Sequence, residues 1–212
     1  MVRLSILLTV SVLLAAGCSS GGSTASAPPV TPDPTLSSSA SQPTPTATGE
    51  RPVAAEKNPP GDIPDNIAFV PYSNATGKYS FTHPEGWAET TKGGEVTFTD
   101  KLNGVHGQPG PLTAAPTIDS AKRQDVPALR RSEAAFELRG VTAVTVPAGS
   151  GVRIVYRRNS AADPVTGRQY RDEVERYELV SHGREVIVEL YGPVGSDNVD
   201  AYKAMITSLR IG

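Results

Sequence analysis

The side chains that could do chemistry are few in this chain of 212 residues, and they are scattered. The single thiol is Cys18. The three histidines are His83, His106 and His182, with no His-x-x-x-His spacing and no cysteine beside them, so a zinc site has little support. Asp62 with Asp65, and Asp197 with Asp200, are acidic pairs without the ladder of a calcium loop. The second pair reads better as a helix cap. Gly149-Ser150-Gly151 reads as a turn and lacks the strand-to-helix setting of a nucleophile elbow. Glu173, Glu175, Glu178, Glu185 and Glu189 could contain a general acid and base. They are interleaved with Arg171, Arg176 and Arg184, which cross-strand ion pairs on a solvated face explain more simply. Arg153, Arg157, Arg158, Arg168 and Arg171 form the remaining candidate, a basic patch able to hold an anionic polymer or an acidic partner; paired charges are the plainer alternative. No catalytic constellation and no cofactor motif emerges, and the expectation is a protein that is not an enzyme. A net charge of -2 gives no footing to nucleic-acid binding.

Cys18 gains meaning from what precedes it. Arg3 is followed by an apolar run from Leu4 to Ala16, the pattern of an export signal. The run is shorter than the roughly 20 residues of a membrane span. The junction Leu14-Ala15-Ala16-Gly17-Cys18 resembles the lipobox of bacterial lipoproteins. That resemblance implies removal of residues 1–17, a diacylglyceryl group on the Cys18 sulfur, and a new amino terminus open to acylation. Two or more acyl chains hold a protein stably at a membrane, whereas one is marginal. The location so implied is the outer, extracytoplasmic face of the cell membrane.

Ser, Thr and Pro supply 20 of the 30 residues from 19 to 48, too polar a mixture to offset the entropy of ordering. Residues 18–66 are therefore expected to be a lipidated cysteine and a disordered tether, with 49–66 a less uniform linker. Beyond Ile67 aromatic and charged residues become frequent, which leaves 67–212 for one domain of ordinary size.

The elements of that domain follow from periodicity. Tyr79 and Phe81 alternate with polar residues, as do Val96 and Phe98, and both runs read as half-buried strands. Leu102 to Pro116, rich in Gly and Pro, reads as a long loop of the kind that binds partners or stays disordered. A helix is expected from Asp125, or earlier from Thr117 or Asp119, through Leu138, ended by Arg139-Gly140. Strands follow at 141–146, from Val152 through Arg157, at about 169–181 and at 184–191; the last two make a hairpin about His182-Gly183. Ser196 or Asp197 should cap a final helix with Val199, Tyr202, Met205, Ile206 and Leu209 on its buried stripe. Strands, helix, strands, helix is an α+β order, and a mostly antiparallel sheet covered by helices fits it.

The run from Gly77 to Trp87, Gly-Lys-Tyr-Ser-Phe-Thr-His-Pro-Glu-Gly-Trp, resembles the opening G-x-F-S-F-x-x-P-x-G-W element of PsbP-like domains. Tyr191 to Tyr202 with Ile206 to Leu209 resembles their closing strand and helix, and Arg157 to Tyr177 is similar to the middle of actinobacterial cell-envelope lipoproteins. Tyr79 stands where phenylalanine is commoner, a conservative departure. The resemblance, over about residues 70–211, implies an α/β/α sandwich around a central antiparallel sheet. It also implies action by binding, since the relatives include Ran-binding nuclear-transport factors and envelope lipoproteins. The expected function is that of a membrane-anchored surface lipoprotein, non-enzymatic, binding a protein or an envelope component. The alternative is a small-ligand carrier or weak envelope hydrolase.

Overall fold

Period-two alternation builds a seven-stranded sheet with a second layer packed over part of each face. The computed structural model describes residues 49–57, 61–111 and 114–212, all within one compact unit, Pro43–Gly212. The signal, Cys18 and the Ser/Thr/Pro tether to residue 48 lie outside the described residues. The elements run β1 (Phe69–Asn74), β2 (Tyr79–Pro84), β3 (Ala88–Lys92), β4 (Glu95–Asp100), β5 (Asn103–Pro109), α1 (Ile118–Arg123) and α2 (Asp125–Ser132). Then come β6 (Glu137–Val146), β7 (Gly149–Asn159), β8 (Arg171–Ser181), β9 (Arg184–Pro193), α3 (Val199–Ser208) and β10 (Arg210–Ile211). The large sheet has the order β3-β4-β5-β9-β8-β7-β6, antiparallel throughout. A small second sheet, β1-β2-β10, stands beside α3 in the layer over one face.

One face of the large sheet carries Val152, Ile154, Tyr156 and Val174, packed against Ala121, Val126, Leu129 and Phe136 of the α1–α2 region. The other carries Val96, Phe98, Val105, Leu179, Val186, Val188 and Leu190, packed against Tyr79 and Phe81 of β2 and Met205, Ile206 and Leu209 at α3. The result is the expected α+β sandwich with a central antiparallel sheet. The β8–β9 hairpin turns at His182 and Gly183, both at positive φ, the twist that a two-residue hairpin needs.

Four local expectations are corrected. The segment read as a loop from Leu102 contains strand β5, bonded on both sides, and His106 sits on it rather than in a loop. Its glycines do not mark bends: at Gly104 an added Cβ would come within 2.1 Å of Tyr191 Cζ, so glycine there admits a ring. The single helix is two. Thr117 and Ser120 cap α1 reciprocally, and Pro127 lacks the N–H that a continuous helix would bond to Arg123. The second helix stops at Glu133, Ala135 turns at φ 51, and Leu138 and Gly140 belong to β6, with a register shift between them. In α3 the N-cap is Asn198, and Val199 is 71% exposed, outside the buried stripe.

Strands β1 and β3 were not expected. Both are edge strands; β1 contains Pro71, which an edge tolerates, and β3 has every residue exposed, so neither shows a buried alternating face. The described part of the linker packs on the domain. Asn159 Nδ2 donates to the Arg51 carbonyl at 2.8 Å, and Ile63, buried, donates its N–H to Asn198 Oδ1 at 2.8 Å.

Candidate functional site

The α1–α2 pair lies over β6 and β7 and leaves part of its sheet face open toward β9 and β5. Along β9 the alternate residues Tyr191, Glu189, Ile187 and Glu185 point to that side. Tyr191 borders a cavity of about 730 Å³, Glu189 one of about 300 Å³, and Ile187 with Glu185 one of about 170 Å³.

The largest of these is a cleft at the end of the sheet. Its floor holds Arg158 from β7, Asp172 from β8 and Tyr191 from β9, which alternation places on one face. One wall is the 160–170 segment and the other is the β4–β5 turn with Thr99, Lys101 and Asn103. The 160–170 wall is ordered by its own bonds. Asp163 Oδ1 accepts from the Val165 N–H at 3.0 Å, the Thr166 N–H at 2.7 Å and Thr166 Oγ1 at 2.9 Å. Those donors, the Thr166 N–H first, hold the Asp163 carboxyl below its ordinary value. The turn so fixed lifts Val165 to its tip, 89% exposed.

The floor is electrostatically uneven. Arg158 Nη1 donates to Glu133 Oε2 at 2.8 Å, and its guanidinium lies 5.0 Å from the Tyr191 ring centre. Asp172, 3% exposed, has Arg158 Nε at 3.9 Å, beyond hydrogen-bond reach. Burial pushes the Asp172 carboxyl up to about 6, against the pull of Arg158 and Arg171.

Further along β9 the cavity at Glu189 is backed by a closed ionic network. Arg176 donates from Nε to Glu178 Oε1 and from Nη1 to Glu189 Oε1, both at 2.7 Å. Burial raises the Glu178 carboxyl and outweighs Arg176. Burial acts on Glu189 in the same sense, but there Arg176, with Arg158 and His106, prevails and holds it low. His106 Nδ1 meets Thr97 Oγ1 at 2.9 Å. Of the other histidines, His83 is a core residue stacked on Phe98 with centroids 3.6 Å apart, and burial lowers its proton affinity. His182 forms the hairpin turn. Among the described residues no group of three or more His, Cys, Asp or Glu could hold a metal ion.

The five arginines singled out by sequence are dispersed. Arg153 and Arg157 share the face opposite the cleft and pair with Glu175 and Glu173. Arg171 is buried, donating to the Ala135 carbonyl at 2.8 Å and to Glu137 Oε2 at 3.0 Å. Arg168 pairs with Glu56 and lies over the Tyr170 ring on the cleft wall. Arg158 alone reaches the floor. Asp172 and Tyr191 were not singled out. Their one sequence signal was shared parity, Asp172 with Val174 and Tyr191 with Glu189, and parity names a face without naming a cavity.

No family profile matches the chain. No curated protein matches it either. Solved structures share its arrangement of elements at low identity. The solution structure of cyanobacterial PsbP from Synechocystis is 16% identical, with a TM-score of 0.48, covering 72% of this chain and 99% of that one. The Saccharomyces cerevisiae Ran-binding protein Mog1p is 7% identical with a TM-score of 0.44, covering 69% and 96%. LpqN, involved in cell envelope biogenesis of Mycobacterium tuberculosis, is 12% identical with a TM-score of 0.38, covering 69% and 92%. At these values the likeness concerns the arrangement of elements alone.

Proposed function

We propose that this chain is a surface lipoprotein, held through Cys18 at the outer face of the cell membrane, whose domain binds a protein or cell-envelope component and performs no catalysis. The observation that carries the binding reading is the cleft of about 730 Å³ over Arg158, Asp172 and Tyr191, walled by a self-bonded turn. Preformed concave sites with a few converging polar groups are where ligands bind. Four of the five glutamates that could have supplied an acid–base pair support the non-enzymatic side, since Glu173, Glu175, Glu178 and Glu189 each face an arginine partner and only Glu185 does not, among the described residues. The anchor rests on the export signal and the lipobox-like junction. No helix of the described residues is long and apolar enough to cross a membrane.

The test is affinity capture from detergent-solubilised envelope with the wild-type chain and Ala162→Trp, which fills the cleft from its exposed wall. The expected result is a partner held by the wild type and lost by the variant, with Cys18→Ser releasing the protein from the membrane. Equal capture by both would overturn the cleft as the site. The same volume favours a second reading, a small-ligand carrier, because cavities of roughly 300–1,000 Å³ suit small molecules. Native mass spectrometry finding a bound small molecule, with no protein captured, would select it.

A further inference from the structure

Resting on the cleft as the binding site, we propose that Asp172 is the acceptor for an organic cation, an ammonium or guanidinium group that a free amine or a partner's basic side chain inserts into the cleft. Among the described residues Asp172 lacks a hydrogen-bond donor from the protein, though it is 3% exposed and lines the cleft. Arg158 Nε, 3.9 Å away, gives it a long ion pair but no hydrogen bond, and its oxygens open onto the cleft.

The neighbouring cations are committed elsewhere. Arg158 donates to Glu133 and lies against Tyr191. Arg171, next in the strand, points to the opposite face and bonds Ala135, Asn159 and Glu137. Arg168 is taken by Glu56 and the Tyr170 ring. With Arg158 and Arg168 each matched by a glutamate, the cleft is left with Asp163 and Asp172 against Lys101. Asp163 Oδ1 is filled by its own turn, and the rest of that carboxylate lies exposed to water. Asp172 is thus the buried carboxylate of the cleft, without a hydrogen bond from the protein among the described residues.

Buried carboxylates are ordinarily paired or hydrogen-bonded, and one left without donors costs stability. A buried carboxylate kept at a cleft without a hydrogen-bond donor is a candidate acceptor for a donor from outside. Leu102 and Pro164 on the walls give apolar cover to an alkyl stem behind the cationic head.

The charge state of Asp172 sets the pH dependence. The groups facing it are Arg158 from β7, Tyr191 from β9, Lys101 from the β4–β5 turn and Asp163 and Arg168 from the wall. Burial raises Asp172 to about 6, so it takes up a proton below that pH. A cation bound at pH 7.5 is then held about tenfold less tightly at pH 5.

The experiment is calorimetric titration of the full-length protein in detergent with agmatine, with a blocked peptide carrying one central arginine, and with glutarate. At pH 7.5 one or both cations should bind and glutarate should not. Agmatine alone would mark a free amine as the source, and the peptide alone a protein side chain. Asp172→Asn should weaken the cation at least tenfold. Lys101→Asn, which tolerates the left-handed backbone at φ 50, should tighten it several-fold. Failure of both cations to bind, unchanged affinity in Asp172→Asn, or preference for glutarate would overturn the inference. The two readings separate in the capture assay. Loss of the partner by Ala162→Trp with retention by Asp172→Asn leaves the cleft standing and removes the cation; capture by both variants removes the two together.

Discussion

Arg158 Nη1 donates to Glu133 Oε2 across 2.8 Å, joining strand β7 to the residue that caps the end of α2. Both side chains are one-fifth exposed, so the pair is largely desolvated. Removing one partner strands the other, which makes a half-buried pair costlier to break than a surface one. Arg158→Met and Glu133→Gln should each lose about 1–2 kcal/mol, and the double variant should lose less than the two combined. Urea denaturation of the four proteins measures this coupling, and strictly additive losses would show that the bond contributes nothing.

Asp172 should make the fold more stable in mild acid. Its folded-state value of about 6 lies above the ordinary 3.8, so folding disfavours the charged form. The penalty is full above about pH 6 and disappears as the pH falls toward 4. Asp172→Asn should therefore be more stable than the wild type by up to about 3 kcal/mol at pH 7.5 and nearly equal to it near pH 4. Denaturation midpoints at the two pH values check the sign. A variant less stable than wild type at pH 7.5 would mean that the Asp172 carboxylate stabilises the fold.

The floor of the cleft also depends on a missing side chain. The Tyr191 ring lies over Gly104, and a Cβ there would come within 2.1 Å of Cζ and 2.2 Å of the hydroxyl oxygen. Gly104→Ala should expel the ring from the floor and take Arg158 with it, at a cost of about 1–3 kcal/mol from overpacking. The ring resonances of Tyr191 and the melting temperature report the change; an unshifted ring would contradict the packing described.

Much of the fold was legible because buried strands write their period into sequence. Val152, Ile154 and Tyr156, or Val186, Val188 and Leu190, can face only a core, and the hairpin between β8 and β9 needed its positive-φ pair. What escaped has physical causes. Strand β5 carries glycines because a neighbouring ring occupies the Cβ space, information that resides on β9 rather than on β5. The edge strands β1 and β3 have no second partner to impose a pattern. The helix divided because Pro127 acts on a carbonyl four residues earlier. For the site, charge in the sequence suggested one basic patch, but strand parity sends Arg153 and Arg157 to one face and Arg158 to the other. Asp172 looked like any strand acid, because its lack of a hydrogen bond depends on where the neighbouring arginines aim their donors.

The most direct measurement of the central claim, that the cleft is where this domain meets its partner, is photo-crosslinking from position 162 in the cells that make the protein. A photoreactive side chain replacing Ala162 on the cleft wall is compared with one replacing Thr207, exposed on α3. The account predicts a defined adduct from position 162 and none from 207. An adduct from 207 with none from 162 would contradict it.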